Sequence, residues 1–193
     1  MGWQAEEFGT SHEGDVGAVL ADGSEPGPIY LDAGGGGNFH ATTRWWVYNG
    51  SRPGVPRASD LRGACACGWR GARHYPIDWT QAGDGHPDDV DTSGPYDDWE
   101  AHIADVEALS VPLPSELQVL LEWMDEHLTA LADEAPLAAL KGVAALERTT
   151  GRIGRQAAFG ARGDEESWEE IGTGLGLTAK DARSLITRYS LRL

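Results

Sequence analysis

The stretch DEESWEEIGTGLGLTAKDARSLITRY, residues 164–189, decides the fold of the carboxy-terminal part of this chain. Trp168, Ile171 and Leu175 recur at helical spacing and predict the buried face of a first helix at about 165–174, which Asp164 or Glu165 would open. Gly176 supplies the left-handed residue that a tight turn between helices needs. Thr178 can cap a second helix at about 178–189. The predicted buried positions of that helix are Ala182, Leu185, Ile186 and Tyr189.

Two helices joined by a short glycine turn predict a helix-turn-helix. The run Ser-Trp-x-x-Ile-Gly-x-x-Leu-Gly-Leu-Thr, from Ser167 to Thr178, resembles the helix-turn-helix common in small proteins of high-GC actinobacteria. In those proteins a long helix with leucines and arginines precedes the Ser-Trp element, as residues 136–162 do here. The resemblance covers roughly residues 137–190. It implies a fold related to the DNA-binding domains of sigma factors, with the second helix as the reader.

The second helix carries the side chains that a reader helix needs, cations for phosphates and neutral donors for base edges. The predicted DNA-contacting residues are Thr178, Lys180, Arg183, Ser184 and Arg188. Asp181 departs from this pattern, because a carboxylate near the DNA backbone would repel the phosphates. Asp181 could, however, pair with an arginine of the same helix. The alternative is that these helices complete a bundle and contact no DNA.

The sequence changes character near Pro112. Before it, Gly, Pro, Asn and Asp recur every few residues between strand-like runs such as 40–48. After it, leucines at helical spacing predict helices at 115–133 and from 136 to about 160. We therefore predict an α+β fold, with a β-rich, loop-rich, zinc-binding domain over residues 1–110 and a helical domain over 111–193.

The only two cysteines lie in the run Cys65-Ala66-Cys67-Gly68-Trp69. A glycine of positive φ after the second sulfur would let backbone N–H groups point at the thiolates, as in a zinc knuckle. Zinc takes four ligands in a tetrahedron, so two sulfurs supply half of a site and histidine is their natural complement. The alternative is a pair of buried free cysteines beside a tryptophan.

A Cys-x-Cys-Gly-Trp knuckle followed by a short helix with Trp99 and His102 at i and i+3 resembles a small zinc-binding module of actinobacterial and phage proteins. In that module a further histidine lies on a strand upstream of the cysteines, a place that His40 fits best. All six histidines are candidates for the remaining ligands: His12, His40, His74, His86, His102 and His127. The resemblance implies His40, Cys65, Cys67 and His102 as the ligand set. By their position in the sequence, His74, which lies nearer the cysteines, or His86 could replace His40. Four protein ligands would make the zinc structural, whereas three would leave a position open for hydrolysis.

Charge limits the classes of function open to this protein. The chain of 193 residues has a formal net charge of −16 and a pI of about 4.6. Residues 1–110 hold 6 basic and 18 acidic residues, a net charge of −12, whereas residues 151–193 hold 7 and 6, a net charge of +1. A protein that coats nucleic acid indiscriminately needs a basic surface, so this class is excluded. Reduced thiols, an acidic start and the lack of a long apolar run favour a cytoplasmic protein without membrane attachment.

An enzyme is the least supported class. The acidic stretch over residues 83–100 could bind Mg²⁺, but a solvated loop explains such a run better. The sequence has no Gly-x-Ser-x-Gly motif. We therefore expect a DNA-binding transcriptional regulator with a structural zinc site, whose partner is double-stranded DNA. The alternative is a protein-interaction adaptor whose acidic amino-terminal half binds a basic protein, and whose helix-turn-helix is a docking fold that does not bind DNA. The helices at 115–133 and 136–160 offer a homodimer surface unless they form intramolecular core.

Overall fold

The chain has an α+β fold, which confirms the predicted class. The computed structural model describes residues 2–32, 39–82, 90–163 and 166–191. The chain divides into two compact units, residues 1–108 and 109–193. Within the described ranges, no helix combines the length and the apolar character needed to cross a membrane.

The amino-terminal unit is built on two small antiparallel sheets. Strand β4 (Asp60–Cys65) lies at the centre of the first, between β1 (Gly14–Val19) and β5 (Tyr75–Pro76). The second sheet pairs β2 (Ile29–Asp32) with β3 (Phe39–Thr42). Inward-facing residues of β1 and β4 alternate with more exposed ones, as expected of strands that are covered on one face.

The core of this unit contains large aromatic side chains. Trp45 and Tyr48 are almost completely buried, and they pack with Leu61 of β4. These two aromatic residues lie on a 3-10 helix, Trp45–Tyr48, and not on a strand. The predicted strand at 40–48 is therefore wrong beyond Thr42, because the chain turns there to direct Trp45 and Tyr48 into the core.

A helix of 17 residues, α1 (Ser93–Leu109), completes the amino-terminal unit. The sequence predicted only a short helix around Trp99 and His102, so this unit is less dominated by strands than expected. Trp99 is buried, and its indole lies against Trp3 and Tyr96 at ring-centroid distances of 5.7 and 5.9 Å. Gly14 permits this packing, because a Cβ atom there would lie 2.6 Å from the Trp99 ring.

The described part of the carboxy-terminal unit consists of four helices and the short segments that precede and connect them. Its first two helices, α2 (Ser115–Glu134) and α3 (Pro136–Gly163), are joined by Ala135 alone. Such a short connection makes them an antiparallel hairpin. They approach closely at Gly142, where a Cβ atom would lie 3.2 Å from Leu128 of α2.

Helices α4 (Trp168–Leu175) and α5 (Ala179–Leu191) follow, and Gly176 between them adopts the predicted left-handed conformation, with φ of 61°. The cap of α4 is Ser167, whose hydroxyl accepts a hydrogen bond from the Glu170 N–H while the Glu170 carboxylate accepts one from the Ser167 N–H. This reciprocal capping box replaces the predicted opening at Asp164 or Glu165, which lie outside the described residues.

The core of the second unit joins α3, α4 and α5 through four buried residues, Ala158, Ile171, Ala182 and Ile186. Trp168, Leu177 and Tyr189 pack around them as half-buried residues. Leu175 was expected on the buried face, but it is 44% exposed. Leu175 is the last residue of α4, and it lines an open apolar pocket together with Val111 and Leu185 of α5, so part of its side chain faces that opening.

Gly172 is a position where the interhelical turn approaches the backbone of α4. A Cβ atom there would lie 2.9 Å from the Leu177 carbonyl oxygen and 3.1 Å from the Ala179 nitrogen. We expect Gly172→Ala to lower the free energy of unfolding of this unit by about 1–3 kcal/mol, because backbone atoms cannot move aside locally. Gly160→Ala on α3 is the control: its Cβ atom would meet nothing within 4 Å, so the helix should gain about 1 kcal/mol. Urea unfolding followed by circular dichroism would measure both, and equal effects would contradict the prediction.

Candidate functional site

Four potential metal ligands meet in the amino-terminal unit: His12, Cys65, Cys67 and His102. One ligand atom from each residue lies within 4.8 Å of all the others. His12 and Cys65 are buried, whereas Cys67 and His102 are half-buried. This arrangement could hold a metal ion.

The pairing of β1 with β4 brings His12 to the cysteines. Gly14, the first residue of β1, lies opposite Cys65, the last residue of β4. In an antiparallel pair, the residues just before one strand lie beside the residues just after the other. The Ala66 N–H accordingly donates to the Glu13 carbonyl at 2.9 Å, and His12 comes to lie beside the Cys-x-Cys turn.

The distances between sulfur and nitrogen fit a tetrahedral site. His12 Nδ1 lies 3.6 Å from Cys65 Sγ, and His102 Nε2 lies 3.4 Å from Cys67 Sγ. A tetrahedron with Zn–S bonds of about 2.3 Å and Zn–N bonds of about 2.0–2.1 Å has S···N edges of about 3.5 Å. A thiol–imidazole hydrogen bond could account for either pair alone, but it does not explain why the two pairs converge. Two thiolates and two imidazoles are a donor set that zinc prefers.

The Cys-x-Cys turn has the backbone geometry that the sequence predicts, with a glycine of positive φ and a backbone N–H directed at sulfur. Gly68 has a φ of 99°, a conformation that favours glycine, and its N–H donates to the Cys65 carbonyl at 3.0 Å. The Trp69 N–H points at Cys67 Sγ, at 3.4 Å. A backbone donor directed at sulfur stabilises the thiolate form that a metal needs.

His102 is positioned by α1 and by two tryptophans. Its ring is stacked on Trp69 with a centroid distance of 4.5 Å and an angle of 6° between the planes. Trp99, one turn earlier on α1, donates its indole N–H to the His12 carbonyl at 3.3 Å. The helix therefore contributes one ligand directly and helps to hold the segment that carries another.

Burial affects the protonation of these groups. It raises the pKa of the Cys65 thiol to about 11, because the desolvated thiolate is disfavoured. Burial, followed by the nearby His12, lowers the pKa of His102. In the protein without a cation, both shifts therefore favour the uncharged forms.

The structure corrects one of the four predicted ligands. It brings Cys65, Cys67 and His102 together as expected, but His12 takes the place that the resemblance gave to His40. His40 is exposed on β3, which belongs to the other sheet. His74 is also exposed, and His86 lies outside the described residues. His12 was one of the six candidate histidines, but no motif surrounds it, so only knowledge that β1 pairs with β4 could have selected it.

The predicted DNA-contacting cations lie on the outer side of α5. Lys180, Arg183 and Arg188 are exposed, whereas Ala182 and Ile186 of the same helix are buried. The Arg188 guanidinium lies 5.5 Å from the ring centroid of Tyr189. The helix thus has an apolar face towards its own unit and a basic face towards solvent.

The two neutral donors of α5 have structural hydrogen bonds. The Thr178 hydroxyl accepts from the Asp181 N–H at 3.1 Å and donates to the Asp181 carboxylate at 2.8 Å, so Thr178 caps the helix as predicted. Asp181 therefore binds the cap residue, whereas the sequence analysis suggested a pairing with an arginine, and the Thr-x-x-Asp spacing is the local signal for this contact. Ser184 donates to the Lys180 carbonyl at 2.9 Å. Of the five predicted contact residues, the two hydroxyl residues already bind groups of their own helix, whereas the three cations are exposed to solvent.

No protein-family model, curated protein or solved structure matches this chain.

Proposed function

We propose that this protein is a DNA-binding transcriptional regulator whose amino-terminal unit is held together by a structural zinc ion. The observation that carries the DNA-binding part is the exposed basic face of α5 in a helix-turn-helix arrangement. In such an arrangement the second helix enters the major groove while the first crosses the backbone. Lys180, Arg183 and Arg188 would contact phosphates or base edges from that helix.

The metal site supports a structural role for zinc. Its four ligands all come from the protein, so a tetrahedral ion would have no open position for a water or a substrate. The ligands also come from four separate places: the 3-10 helix Gly9–His12, the end of β4, the turn after it, and α1. A bound ion would cross-link these elements, which explains how short strands and loops form a stable unit. We therefore propose no catalytic role for this site.

The local charge predicts modest affinity and a clear dependence on salt. Acidic residues at the start of α4, Glu169 and Glu170, lie on the helix that would cross the backbone, and they would repel phosphate. The number of cations that contact phosphate sets the slope of log affinity against log salt, about −0.9 for each contact. A single reader helix with three cations would therefore bind weakly at physiological salt.

Replacing both Lys180 and Arg183 with alanine tests the DNA-binding proposal. The probe is a duplex enriched from a random-sequence pool at low salt. We expect an affinity loss of about tenfold or more for each residue that contacts a base, and a salt slope reduced by about 1 for each lost phosphate contact.

The matched control removes two exposed cations from the amino-terminal unit, Arg52→Ala with Arg73→Ala, and so changes the net charge by the same amount. This control should bind the duplex like the unmodified protein. Equal losses in the two double variants, or no enrichment of any duplex at low salt, would refute the proposal.

The charge of the front half favours a second function, that of an adaptor for a basic protein. Residues 1–110 have a net charge of −12, and this part could bind a positively charged partner while the helix-turn-helix serves as a docking fold. The observation that distinguishes the two functions is DNA binding itself. An adaptor would bind no duplex at low salt and would retain a basic protein in a salt-dependent manner.

A further inference from the structure

Helix α3 carries cations along one exposed side. Its five basic residues recur at intervals of seven, four, three and seven: Lys141, Arg148, Arg152, Arg155 and Arg162. At 3.6 residues per turn, these positions fall within an arc of about 80° around the helix axis, so they share one face. All five residues are exposed, and they extend over about 30 Å at 1.5 Å per residue. We call this set the basic row.

The basic row concentrates positive charge in an acidic protein. It holds five of the 15 lysines and arginines of a chain whose net charge is −16. The one acidic residue of α3, Glu147, lies about 100° around the helix from Arg148 and therefore outside the row. A face with this charge and length is suited to a polyanion.

The carboxy-terminal half of the basic row lies beside α5. Gly154, one residue before Arg155, faces Tyr189 of α5, because a Cβ atom on Gly154 would lie 2.5 Å from the Tyr189 ring. A cleft opens next to this contact. Its lining residues are Arg155, Phe159, Arg162 and Gly163 of α3, with Ser190 of α5.

The same side of α5 carries one of the proposed DNA contacts. Arg183 and Ser190 are seven residues apart, so they lie two turns apart on one side of the helix. Ser190 lines the cleft together with Arg155 and Arg162, and Arg183 is exposed. The cations of α3 and α5 therefore lie along the same edge of the helix-turn-helix.

An aromatic side chain lies between the two arginines of the cleft. Phe159 is 84% exposed, and it follows Arg155 by four residues and precedes Arg162 by three. A guanidinium group can bind a phosphate through two parallel hydrogen bonds. A ring between two such groups can pack on the apolar side of the adjoining sugar. The cleft thus has the chemistry of a site for a sugar-phosphate backbone.

We propose that Arg155 and Arg162 of the basic row bind the phosphate backbone of duplex DNA beside the groove that α5 enters. In helix-turn-helix complexes, residues near the amino-terminal end of the reader helix contact the base edges. The carboxy-terminal end of that helix, where Tyr189 and Ser190 meet α3, then lies nearer the rim of the groove. The proposal rests on the proposed DNA-binding function, and it adds contacts that fix position without reading sequence.

The salt dependence of binding measures the number of these contacts. The probe is the duplex enriched at low salt with the full chain. Three cations on α5 alone would give a slope of log affinity against log salt no steeper than about −2.7, whereas two more phosphate contacts would give about −4.5. We expect the parent slope to be near the steeper value. Arg155→Ala with Arg162→Ala should reduce its magnitude by about 2 and weaken binding to different duplexes alike.

Two control variants make this result specific. Lys141→Ala with Arg148→Ala removes the same charge from the same row, but these residues precede Gly154 by thirteen and six positions, away from the contact with α5. This variant should keep the parent slope. Arg155→Lys with Arg162→Lys keeps the charge and should also keep the slope, because lysine binds phosphate as a point charge. Circular dichroism would check that the helices persist in all three variants.

The outcomes distinguish this proposal from the proposed function. If no duplex is enriched, both fail. If the Lys180 and Arg183 double variant loses affinity while the Arg155 and Arg162 double alanine variant binds with the parent affinity and slope, only the contact with α3 is refuted. Equal losses in the two double alanine variants of α3 would also refute it, because the effect would then follow from net charge.

A second experiment locates the contact on the DNA. Ethylation of a phosphate removes its charge, so duplexes that bind poorly when ethylated at one position identify the contacted phosphates. We expect the parent to be sensitive at phosphates beside the base pairs that α5 contacts. Arg155→Ala with Arg162→Ala should lose sensitivity at some of these phosphates and keep the rest of the pattern. A pattern identical to that of the parent would overturn the proposal.

Discussion

Replacing Cys65 with alanine is expected to abolish zinc binding and to unfold most of the amino-terminal unit. Cys65 is buried at the end of β4 and faces His12 Nδ1 at 3.6 Å, so no other described side chain can take its place in the cluster. Structural zinc contributes about 10 kcal/mol or more to folding in small zinc domains. Metal analysis of protein purified without added metal should therefore give about one zinc per chain for the parent and close to none for the variant.

His12→Ala should have a similar effect, and the other histidines supply the controls. His40 and His74 are exposed and lie outside the cluster, so His40→Ala and His74→Ala should retain the full metal content. The comparison of His12→Ala with His40→Ala distinguishes the ligand set found in the structure, which contains His12, from the set predicted from the sequence, which contains His40. Loss of zinc from the His40 variant, with retention in the His12 variant, would show that the assignment from the structure is wrong.

Trp99→Ala is expected to have the second largest effect, because this residue connects the core to the metal site. Trp99 is buried against Trp3 and Gly14, and its indole N–H binds the carbonyl of His12. Truncation of a buried tryptophan costs about 3–5 kcal/mol in the free energy of unfolding. Zinc affinity should fall as well, since this hydrogen bond helps to hold the segment that carries His12. Unfolding in urea at saturating zinc, together with a competition titration for zinc, would measure the two effects.

Two further variants make this prediction specific. Trp46 lies next to the core residue Trp45 but is only half-buried, so Trp46→Ala should cost less and should leave zinc affinity unchanged. Trp99→Phe keeps a six-membered ring but removes the hydrogen bond to His12 and the indole edge that lies on Gly14, so it should cost about 1–3 kcal/mol, less than Trp99→Ala. If Trp99→Ala and Trp46→Ala lower stability and zinc affinity equally, Trp99 has no special role at the site.

The helical half of the protein was predictable because its signals are local. The spacing of leucines placed α2 and α3, and Gly176 marked the turn before α5 at a residue that indeed has positive φ. Each of these features depends on residues within a few positions of one another. The error in the predicted start of α4 also concerns a local signal. The sequence offers several acidic or hydroxyl residues as caps, and Ser167 is the one that has a glutamate, Glu170, three residues later to complete the capping box.

The metal site was predictable only in part. The Cys-x-Cys-Gly-Trp turn is local, and the sequence identified it together with His102. The fourth ligand depends on which strands pair, and short glycine-rich strands give little indication of their partners. His40 lies on a strand, as the resemblance implied, but its strand pairs with β2, whereas His12 precedes the strand that pairs with β4.

The sequence by itself determined the α+β class, the helix-turn-helix geometry, the cysteine turn and the basic character of α5, because periodicity, capping and turn chemistry act over short stretches of chain. Tertiary structure decided that His12 completes the cluster and that α2 has no buried residue. These features depend on contacts between distant segments or on which surfaces remain uncovered. Neither is determined by neighbouring residues alone, since both depend on how the whole unit packs.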